Sequence, residues 1–305
     1  MDSILDSIFF IEADEVSTRP MSDKPISLWL VEDDIFRPST NIKVQGKLDP
    51  GLYSVEFSRD YGIYCKQITV CSDELFIFSD SKTETLLSEI DLFWKKSDLY
   101  KENKLVHKRG ILLEGYPGTG KSSIISLASD RIIKSGGIVF KVEGPSNLVH
   151  YISFLKNSFR KIQPTTPIIT ILEDIDEYSD YESYLLDFLD GKLQIEHHVI
   201  IATSNNTEEL DDTYLRPSRI DLRIAIDYPN EVVRREYFKF KRVPDTKLEE
   251  LVVRSEGLSL ADLKELYICI FLLEYSIDEA FSKILHTIHK QDYTEVKGKY
   301  KSMSI

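Results

Sequence analysis

Cysteines are few in this sequence, and long hydrophobic runs are missing. Three of the 305 residues are cysteines, namely Cys65, Cys71 and Cys269. None of them lies in a CxxC pair or in a cysteine–histidine cluster. A disulfide framework is therefore excluded. No apolar run approaches the ~20 residues of a membrane-spanning helix, and the N-terminal stretch MDSILDSIFFIEADE is acidic where a signal peptide is basic. We expect a protein of the cytoplasm, of a cell or a host cell, with no membrane segment.

Basic residues are fewer than acidic residues. The chain has 38 lysines and arginines against 51 aspartates and glutamates, a formal net charge of −13. Because nucleic-acid binding depends mainly on Lys and Arg, a nucleic-acid partner is disfavoured. The composition otherwise, with 42% hydrophobic and 29% charged residues, is typical of a globular protein with a substantial core.

Residues 1–82 are predicted to form a small β-rich N-terminal domain. Short runs rich in β-branched and aromatic residues, such as LYSVEF (52–57) and GIYCKQITV (62–70), are separated by turn signals such as DPG. No motif here points to chemistry. Docking, oligomerisation, substrate contact and plain scaffold all stay open.

From residue 83 the pattern changes to α/β. From Gly110 onward apolar strands alternate with helices, the strands being GILLE (110–114), GIVFKVE (137–143), PIITILED (167–174), HVIIATS (198–204) and DLRIAID (221–227). Near-continuous apolar strands indicate a parallel sheet covered by helices on both faces. We predict an α/β domain over 83–228 with a five-stranded parallel sheet and a ligand site at the carboxyl ends of its strands.

The strand pattern stops after Pro229. Helical spacing continues to about residue 290, with Asn230, Ser259 and Ser276 as candidate N-caps. A small all-α module over 229–290 is predicted, followed by a C-terminal tail over 291–305.

The stretch GYPGTGKSS satisfies G-x-x-x-x-G-K-[ST] between a predicted strand and a predicted helix, which is the context that a phosphate-binding loop requires. Its glycines let backbone N–H groups turn toward phosphate oxygens, and the following helix adds its positive end. Lys121 is predicted to reach the β- and γ-phosphates of ATP and the Ser122 hydroxyl to bind Mg²⁺. The candidate nucleotide-binding residues are Gly115, Tyr116, Pro117, Gly118, Thr119, Gly120, Lys121, Ser122 and Ser123.

Three further segments contain candidate catalytic residues. IITILEDID places Glu173 and Asp174 after an apolar strand, where one carboxylate can hold Mg²⁺ and the other can orient or deprotonate the attacking water. Asn205 in IATSNN positions that water, contacts the γ-phosphate or only ends the strand. Arg216 and Arg219 in LRPSRIDLR form a solvated loop in a monomer, or reach a neighbour's γ-phosphate in a ring.

The order of these motifs resembles the AAA family of ring-forming ATPases. The resemblance covers roughly residues 83–275 and rests on GYPGTGKS, LEDID, LLDFLDG, ATSNN, LRPSRID and GLSLADLKEL. Within the family the chain is most similar to the mitochondrial Rieske-protein translocase branch and to phage and viral ATPases. The resemblance implies ATP and Mg²⁺ as ligands, a homo-oligomeric ring with six as the expected number of subunits, and active sites shared between subunits.

The resemblance also implies a role for each matching residue. Lys121 and Ser122 match the Walker A lysine and the Mg²⁺ ligand, and Asn205 matches the sensor-1 asparagine. Arg216 and Arg219 match two arginines that act across the subunit interface. The stretch LSLADL resembles the start of a helix in the family's lid domain, near the nucleotide base and ribose, and the predicted all-α module is accordingly called the lid below.

Two departures from the family pattern bear on activity. Most members read Asp-Glu where this chain reads Glu173-Asp174, an inversion that the translocase branch shares. Asp174 is thus the candidate catalytic carboxylate and Glu173 the Mg²⁺-side residue, with slow hydrolysis expected. Many members have an aromatic pore loop where this chain reads Tyr151-Ile152-Ser153, so Tyr151 is either a client-gripping pore residue or an ordinary helix-face tyrosine.

The leading hypothesis is a ring-forming, Mg²⁺-dependent ATPase that remodels or translocates a macromolecular client, with a protein as the favoured client. The alternative is a nucleotide-gated structural component whose hydrolysis is slow or vestigial. A DNA-processing ring is disfavoured by the acidic balance, and a small-molecule kinase has no need of ATSNN and LRPSR at this spacing.

Overall fold

The computed structural model describes residues 27–32, 35–40, 45–59, 62–69, 77–79, 82–190, 192–193, 195–205 and 212–286. The predicted C-terminal tail, 291–305, lies outside the described residues. The chain divides into two units, Met1–Gly46 and Lys47–Ile305. In the first unit, strand β1 (Ser27–Glu32) pairs antiparallel with β2 (Ile35–Thr40).

A mostly parallel sheet forms the centre of the second unit. Its strands are β3 (Gly51–Ser58), β4 (Gly62–Gln67), β5 (Lys108–Glu114), β6 (Ile138–Val142), β7 (Ile168–Leu172), β8 (His198–Ser204) and β9 (Leu222–Ala225). Their order across the sheet is β4-β3-β6-β7-β8-β5-β9. β3 and β4 pair antiparallel, and every other neighbouring pair is parallel. The α/β fold class is confirmed.

The predicted number of five strands is wrong, because the sheet has seven. The two additional strands, β3 and β4, come from the segment predicted as a separate N-terminal domain. β3 pairs with β6 from Gly51↔Ile138 to Ser54↔Lys141, and its Tyr53 and Val55 are buried in the same cluster as Phe140. The sequence reveals these strands by their β-branched and aromatic residues, but not which sheet they join.

Helices cover both faces of the sheet and form the lid. They are α1 (Thr83–Lys95), α2 (Ser97–Glu102), α3 (Lys121–Lys134), α4 (Asn147–Phe154), α5 (Arg160–Ile162), α6 (Glu182–Leu189), α7 (Glu231–Phe240), α8 (Asp245–Arg254), α9 (Leu260–Tyr267) and a last helical stretch over 277–286. The predicted caps are present: the side chains of Asn230, Ser259 and Ser276 accept hydrogen bonds from the N–H groups of Val233, Asp262 and Glu279.

The strands are apolar throughout because the sheet is buried on both faces. Neighbouring residues alternate between two clusters, with Leu112 on one face and Ile111 and Leu113 on the other. A third cluster, which includes Phe238 and Leu263, forms the core of the lid. No helix in the described part of the chain combines the length and the hydropathy that crossing a bilayer requires.

Candidate nucleotide-binding site

The glycine-rich stretch connects the end of β5 to the start of α3. Gly118 and Gly120 have φ angles of 79° and 108°, a conformation that residues with a Cβ rarely adopt. Thr119 turns its hydroxyl back into the loop and donates to the Tyr116 carbonyl over 2.8 Å. The loop therefore has the curled backbone that its motif predicts, at the carboxyl edge of the sheet.

Lys121, the first residue of α3, lies beneath this loop. Its Nζ donates to the carbonyl oxygens of Gly115 and Tyr116 over 2.6 and 3.0 Å. It also donates to Asn205 Oδ1 over 2.7 Å. Burial lowers the pKa of the ammonium group from its usual value, and the nearby carboxylates of Asp174 and Asp176 oppose this shift. Three hydrogen bonds thus hold the Lys121 side chain at the mouth of the loop.

Asp174 lies beside that cation, directly after β7. Its N–H donates to Thr203 Oγ1 on β8 over 2.9 Å, which fixes the turn. Its Oδ1 accepts from Asn205 Nδ2 over 2.8 Å. Asn205 consequently joins Lys121 to Asp174 through its two amide atoms. The structure brings these three predicted site residues together from three different strand ends.

The electrostatic surroundings of Asp174 favour its neutral form. Burial is the largest cause of its raised pKa, and the carboxylates of Asp176, Glu177 and Glu173 add to it, while Lys121 opposes them. A carboxylate with a raised pKa is a better general base than an ordinary aspartate. The site therefore has the chemistry to take a proton from a water molecule.

Glu173 is paired with a lysine that the sequence analysis missed. Its Oε2 lies 2.6 Å from Nζ of Lys141, and both side chains are about one-third exposed. Lys141 is on β6, the strand next to β7. The sequence does contain one indication of this pair. Lys141 interrupts the apolar run GIVFKVE, and a lysine in a buried strand needs either contact with solvent or a carboxylate partner.

The two predicted interface arginines have different surroundings. Arg219 forms a bidentate ion pair with Asp190, with Nε–Oδ1 and Nη2–Oδ2 distances of 2.5 and 2.9 Å, and its side chain is only 14% exposed. Its Nη1 donates to the Thr213 carbonyl. Arg216 is exposed. The structure thus ties Arg219 within its own subunit and leaves the Arg216 side chain at the surface.

Two more residues anchor the loop that bears Arg216. Lys108 Nζ donates to the carbonyl oxygens of Leu189 and Ser218, and burial lowers the pKa of its ammonium group. Asp221 accepts from the N–H groups of Gly110 and Ser218 over 2.8 and 3.2 Å. The loop is therefore fixed against β5. These contacts join residues that are far apart in the sequence, and no sequence motif predicts them.

A cavity of about 490 Å³ opens above the loop. The α/β domain and the lid both line it, the former with Pro117, Gly118, Gly120, Lys121, Ser122, Ser123, Glu173, Asp174, Thr203 and Asn205, the latter with Tyr237, Phe240, Lys241, Leu260, Ala261 and Lys264. Phe78 completes the lining. The lid contacts the loop directly, because the Ala261 N–H donates to the Gly118 carbonyl over 3.1 Å.

A second cavity of about 310 Å³ adjoins the first and shares Phe78, Gly120, Ser123 and Leu260 with it. Ile124, Leu127, Ile226 and Val233 contribute apolar side chains, and the buried Thr119 also lines it. The remaining loop residue, Tyr116, is exposed and stacks on Tyr228 with ring centroids 5.3 Å apart. Two adjoining cavities with polar and apolar lining residues suit a phosphate chain joined to an aromatic base.

The residues present fit a magnesium ion. The Ser122 hydroxyl and the carboxylates of Glu173 and Asp174 line one cavity, and oxygen donors of this kind are the ligands that Mg²⁺ prefers. Within the described residues, no group of three or more His, Cys, Asp and Glu side chains is arranged to hold a metal. Mg²⁺ is commonly bound through one or two carboxylates together with substrate phosphates.

Tyr151 is not a pore residue. It lies on α4 and is completely buried. Its hydroxyl bonds to Thr170 Oγ1, which in turn contacts His198 Nε2 over 2.7 Å. The helix-face alternative is therefore right, because an aromatic side chain at helical spacing packs into the core.

Comparisons with known proteins agree with this geometry. Residues 111–228 match the model of the "ATPase family associated with various cellular activities (AAA)". The chain is 29% identical over 241 residues to Protein SAV of Sulfolobus acidocaldarius, an alignment that covers 72% of this chain and 30% of that protein. It is 28% identical over 200 residues to the Proteasome-associated ATPase of Frankia casuarinae, which covers 55% of this chain and 33% of that protein.

A third relative is the "AAA ATPase forming ring-shaped complexes" of Kocuria rhizophila, 28% identical over 210 residues, with 58% of this chain and 37% of that protein covered. The chain thus spans only about a third of the length of these relatives. The family match covers β5 to β9, which hold the phosphate loop, Glu173, Asp174, Asn205 and the two arginines. Residues 111–228 of this chain thus match the AAA family of ATPases.

Proposed function

We propose that the protein is a Mg²⁺-dependent ATPase that assembles into a ring and uses ATP hydrolysis to remodel or translocate a protein client. The observation that carries this proposal is the Lys121–Asn205–Asp174 chain of hydrogen bonds at the mouth of the phosphate loop. The Lys121 ammonium group, the Asn205 amide and the Asp174 carboxyl group, whose pKa is raised, all line one cavity, which supports the proposal.

Each side chain has a distinct task in this proposal. Lys121 and the loop N–H groups bind the β- and γ-phosphates. Asn205 holds the attacking water near the γ-phosphate, and Asp174 takes its proton as the new P–O bond forms and the bond to ADP breaks. Ser122 and Glu173 would hold Mg²⁺, which supplies positive charge to the phosphate oxygens when bound.

The exposed position of Arg216 supports a site shared between subunits. A cation that acts on a neighbour's γ-phosphate has to project from the surface of its own subunit. Arg219 instead acts within its own subunit, where its ion pair with Asp190 holds the loop that bears Arg216 in place. One relative is named for its ring-shaped complexes, which agrees with a homo-oligomeric ring. Six subunits are our expectation for this ring.

The shared site predicts that turnover per subunit rises with protein concentration as rings assemble. We expect Arg216→Ala to lower the turnover of assembled rings by about 10³-fold, the lower end of the range for an arginine acting in trans, with an unchanged melting temperature. Arg219→Ala is expected to destabilise the fold, because Asp190 loses its bidentate partner and keeps only the more distant Lys192. ATPase assays over a concentration series measure turnover, light scattering measures ring assembly, and thermal melting measures the stability of the two variants.

The matched control is Arg131→Ala, which removes an exposed arginine on α3 that pairs with Asp91 and lies outside the site. Its turnover should equal that of the wild type. Turnover that is independent of concentration, or a fully active Arg216→Ala variant, would contradict the shared site.

A second candidate function is a nucleotide-gated assembly component with vestigial hydrolysis. Its specific support is the Lys141–Glu173 ion pair, which occupies the carboxylate proposed for Mg²⁺, together with the inverted Glu173-Asp174 order. Assembly that depends on ATP but shows no steady-state turnover would favour this alternative.

The proposal also covers the client and the cellular location of the protein. A protein client agrees with the name of the Proteasome-associated ATPase among the relatives. A cytoplasmic location, the likeness to the translocase branch and a phage or viral relationship are predictions from the sequence. Pulldown with an ATP-trapped Asp174→Asn variant tests the client directly.

A further inference from the structure

The backbone of Asp174 lies in the left-handed region, with φ and ψ angles of 49° and 61°. Glycine adopts this region freely, and aspartate and asparagine adopt it more readily than most other residues. Of the residues other than glycine that line the larger cavity in the described part of the chain, only Asp174 has a positive φ. Such a conformation persists only where neighbouring groups hold it. The contacts that hold this turn therefore decide where the carboxyl group lies.

Two side chains at the end of β8 attach Asp174 at two separate points. The pairing of β7 with β8 ends at Leu172↔Ala202, so the backbone of Asp174 lies beyond the last paired residues. Its N–H donates instead to the Thr203 hydroxyl over 2.9 Å. Asn205 Nδ2 donates to Asp174 Oδ1 over 2.8 Å. Thr203 thus holds the backbone of the aspartate, and Asn205 holds its carboxyl group.

The Thr203 hydroxyl is the contact that keeps the turn closed on the strand side. Thr203 is only 3% exposed. On the other side, the Asp174 carbonyl accepts from the Glu177 N–H over 2.9 Å, within the short 3₁₀ helix Ile175–Tyr181 that follows. Without the hydroxyl the Asp174 N–H would lose its acceptor, which is costly for a backbone group in a partly buried site. The turn would then be free to relax from its left-handed conformation.

We propose that Thr203 is a positioning residue for ATP hydrolysis, because its hydroxyl holds the left-handed turn that directs the Asp174 carboxyl group to Asn205 and the cavity. The inference rests on the proposed function, in which Asp174 takes a proton from the attacking water. A general base must lie within hydrogen-bond reach of that proton, and a misplacement of about 1 Å can lower a rate by about 10²-fold. The same turn accounts for aspartate at position 174, since glutamate adopts the left-handed region less readily.

The test compares Thr203→Val, which has nearly the same shape but no hydroxyl, with the full-length wild type. Turnover at saturating ATP and Mg²⁺ should fall by about tenfold, the equivalent of one lost hydrogen bond. ATP affinity should stay unchanged, because Lys121 and the loop bind the phosphates. Thr203→Ser keeps the hydroxyl and should retain most of the turnover. Thermal melting checks the fold, and Thr203→Ala replaces the valine variant if that variant does not fold.

A second comparison asks whether Thr203 acts through Asp174. In the Asp174→Asn background the carboxylate is already gone, so adding Thr203→Val should lower the single-turnover rate no further. A further tenfold loss in that background, normal turnover of the folded Thr203→Val variant, or weakened ATP binding by it overturns the inference alone. A wild-type protein that does not hydrolyse ATP overturns the proposed function as well.

The matched control is Thr170→Val, which also removes a buried threonine hydroxyl from the sheet. Thr170 lies on β7 outside the cavity, is completely buried, and bonds to Tyr151 and His198. Its melting temperature should fall, whereas the turnover of the folded protein should equal that of the wild type. A loss of turnover equal to that of Thr203→Val would reveal a general effect of lost hydrogen bonds in the sheet and overturn the inference.

Discussion

Replacing Lys121 by alanine is expected to abolish nucleotide binding, with a loss of ATP affinity of at least about a hundredfold because two or more charge-assisted hydrogen bonds to phosphate disappear. The reason lies in the position of Nζ, which is 2.6 and 3.0 Å from two loop carbonyls at the mouth of the phosphate loop. No other lysine of the α/β domain lines the cavity among the described residues. Isothermal titration with ATP and with ADP measures the loss.

Two comparisons separate this effect from a loss of fold. Lys134→Ala removes a lysine from the other end of α3, where it pairs with Asp130 at the surface, and its ATP affinity should be unchanged. Lys121→Met keeps the length of the buried stem without the charge, and it should bind as weakly as the alanine variant. Native affinity in either Lys121 variant would show that the loop is not a phosphate site.

The second large effect is expected for Asp174→Asn, which should lower turnover by about 10²–10⁴-fold, the range for loss of a general base, while ATP still binds. Asparagine has nearly the same shape, and its amide oxygen can still accept the hydrogen bond from Asn205. Steady-state ATPase assays and ATP titration measure turnover and binding separately. Glu173→Gln should instead change the Mg²⁺ concentration needed for activity, because the proposed role of its carboxylate is to hold the ion.

The same carboxylate predicts a pH dependence. Asp174 is active as a base only when deprotonated, so turnover should fall as the pH drops through its pKa. Burial and the neighbouring carboxylates raise that pKa above the usual 3.8, and the acid limb of the pH–rate profile should therefore lie above that of an ordinary aspartate. Asp176→Asn removes the largest charge contribution to this shift and should move the limb to lower pH. An acid limb that does not respond to it would assign the titration to another group.

The conformation of the glycine-rich loop could be predicted from the sequence because its causes are local. Its pattern is contained in one short stretch, and the curled backbone depends on its own glycines. Glu173, Asp174 and Asn205 were also predictable, since the carboxyl ends of parallel strands meet at one edge of a sheet. The hydrogen bond that Asn205 donates to Asp174 agrees with that expectation.

The contacts that escaped prediction join residues far apart in sequence. Lys141 pairs with Glu173 across neighbouring strands, and Lys108 reaches carbonyls near residues 189 and 218. Neither lysine lies in a motif, and only the order of strands brings them to their partners. Arg219 illustrates the same limit: its motif gives no sign of the ion pair that it forms with Asp190.

Strand β3 lies between β4 and β6 in the sheet. The α/β domain therefore begins well before residue 83, where the predicted domain boundary lies. A fragment that starts at residue 83 would lack two strands and leave the backbone N–H and C=O groups of β6 without their partners on one side. Exposed edges of this kind promote pairing with other chains and aggregation. The segment ahead of the glycine-rich loop is therefore part of the cooperative folding unit of the α/β domain, and the boundary of that unit lies near residue 47.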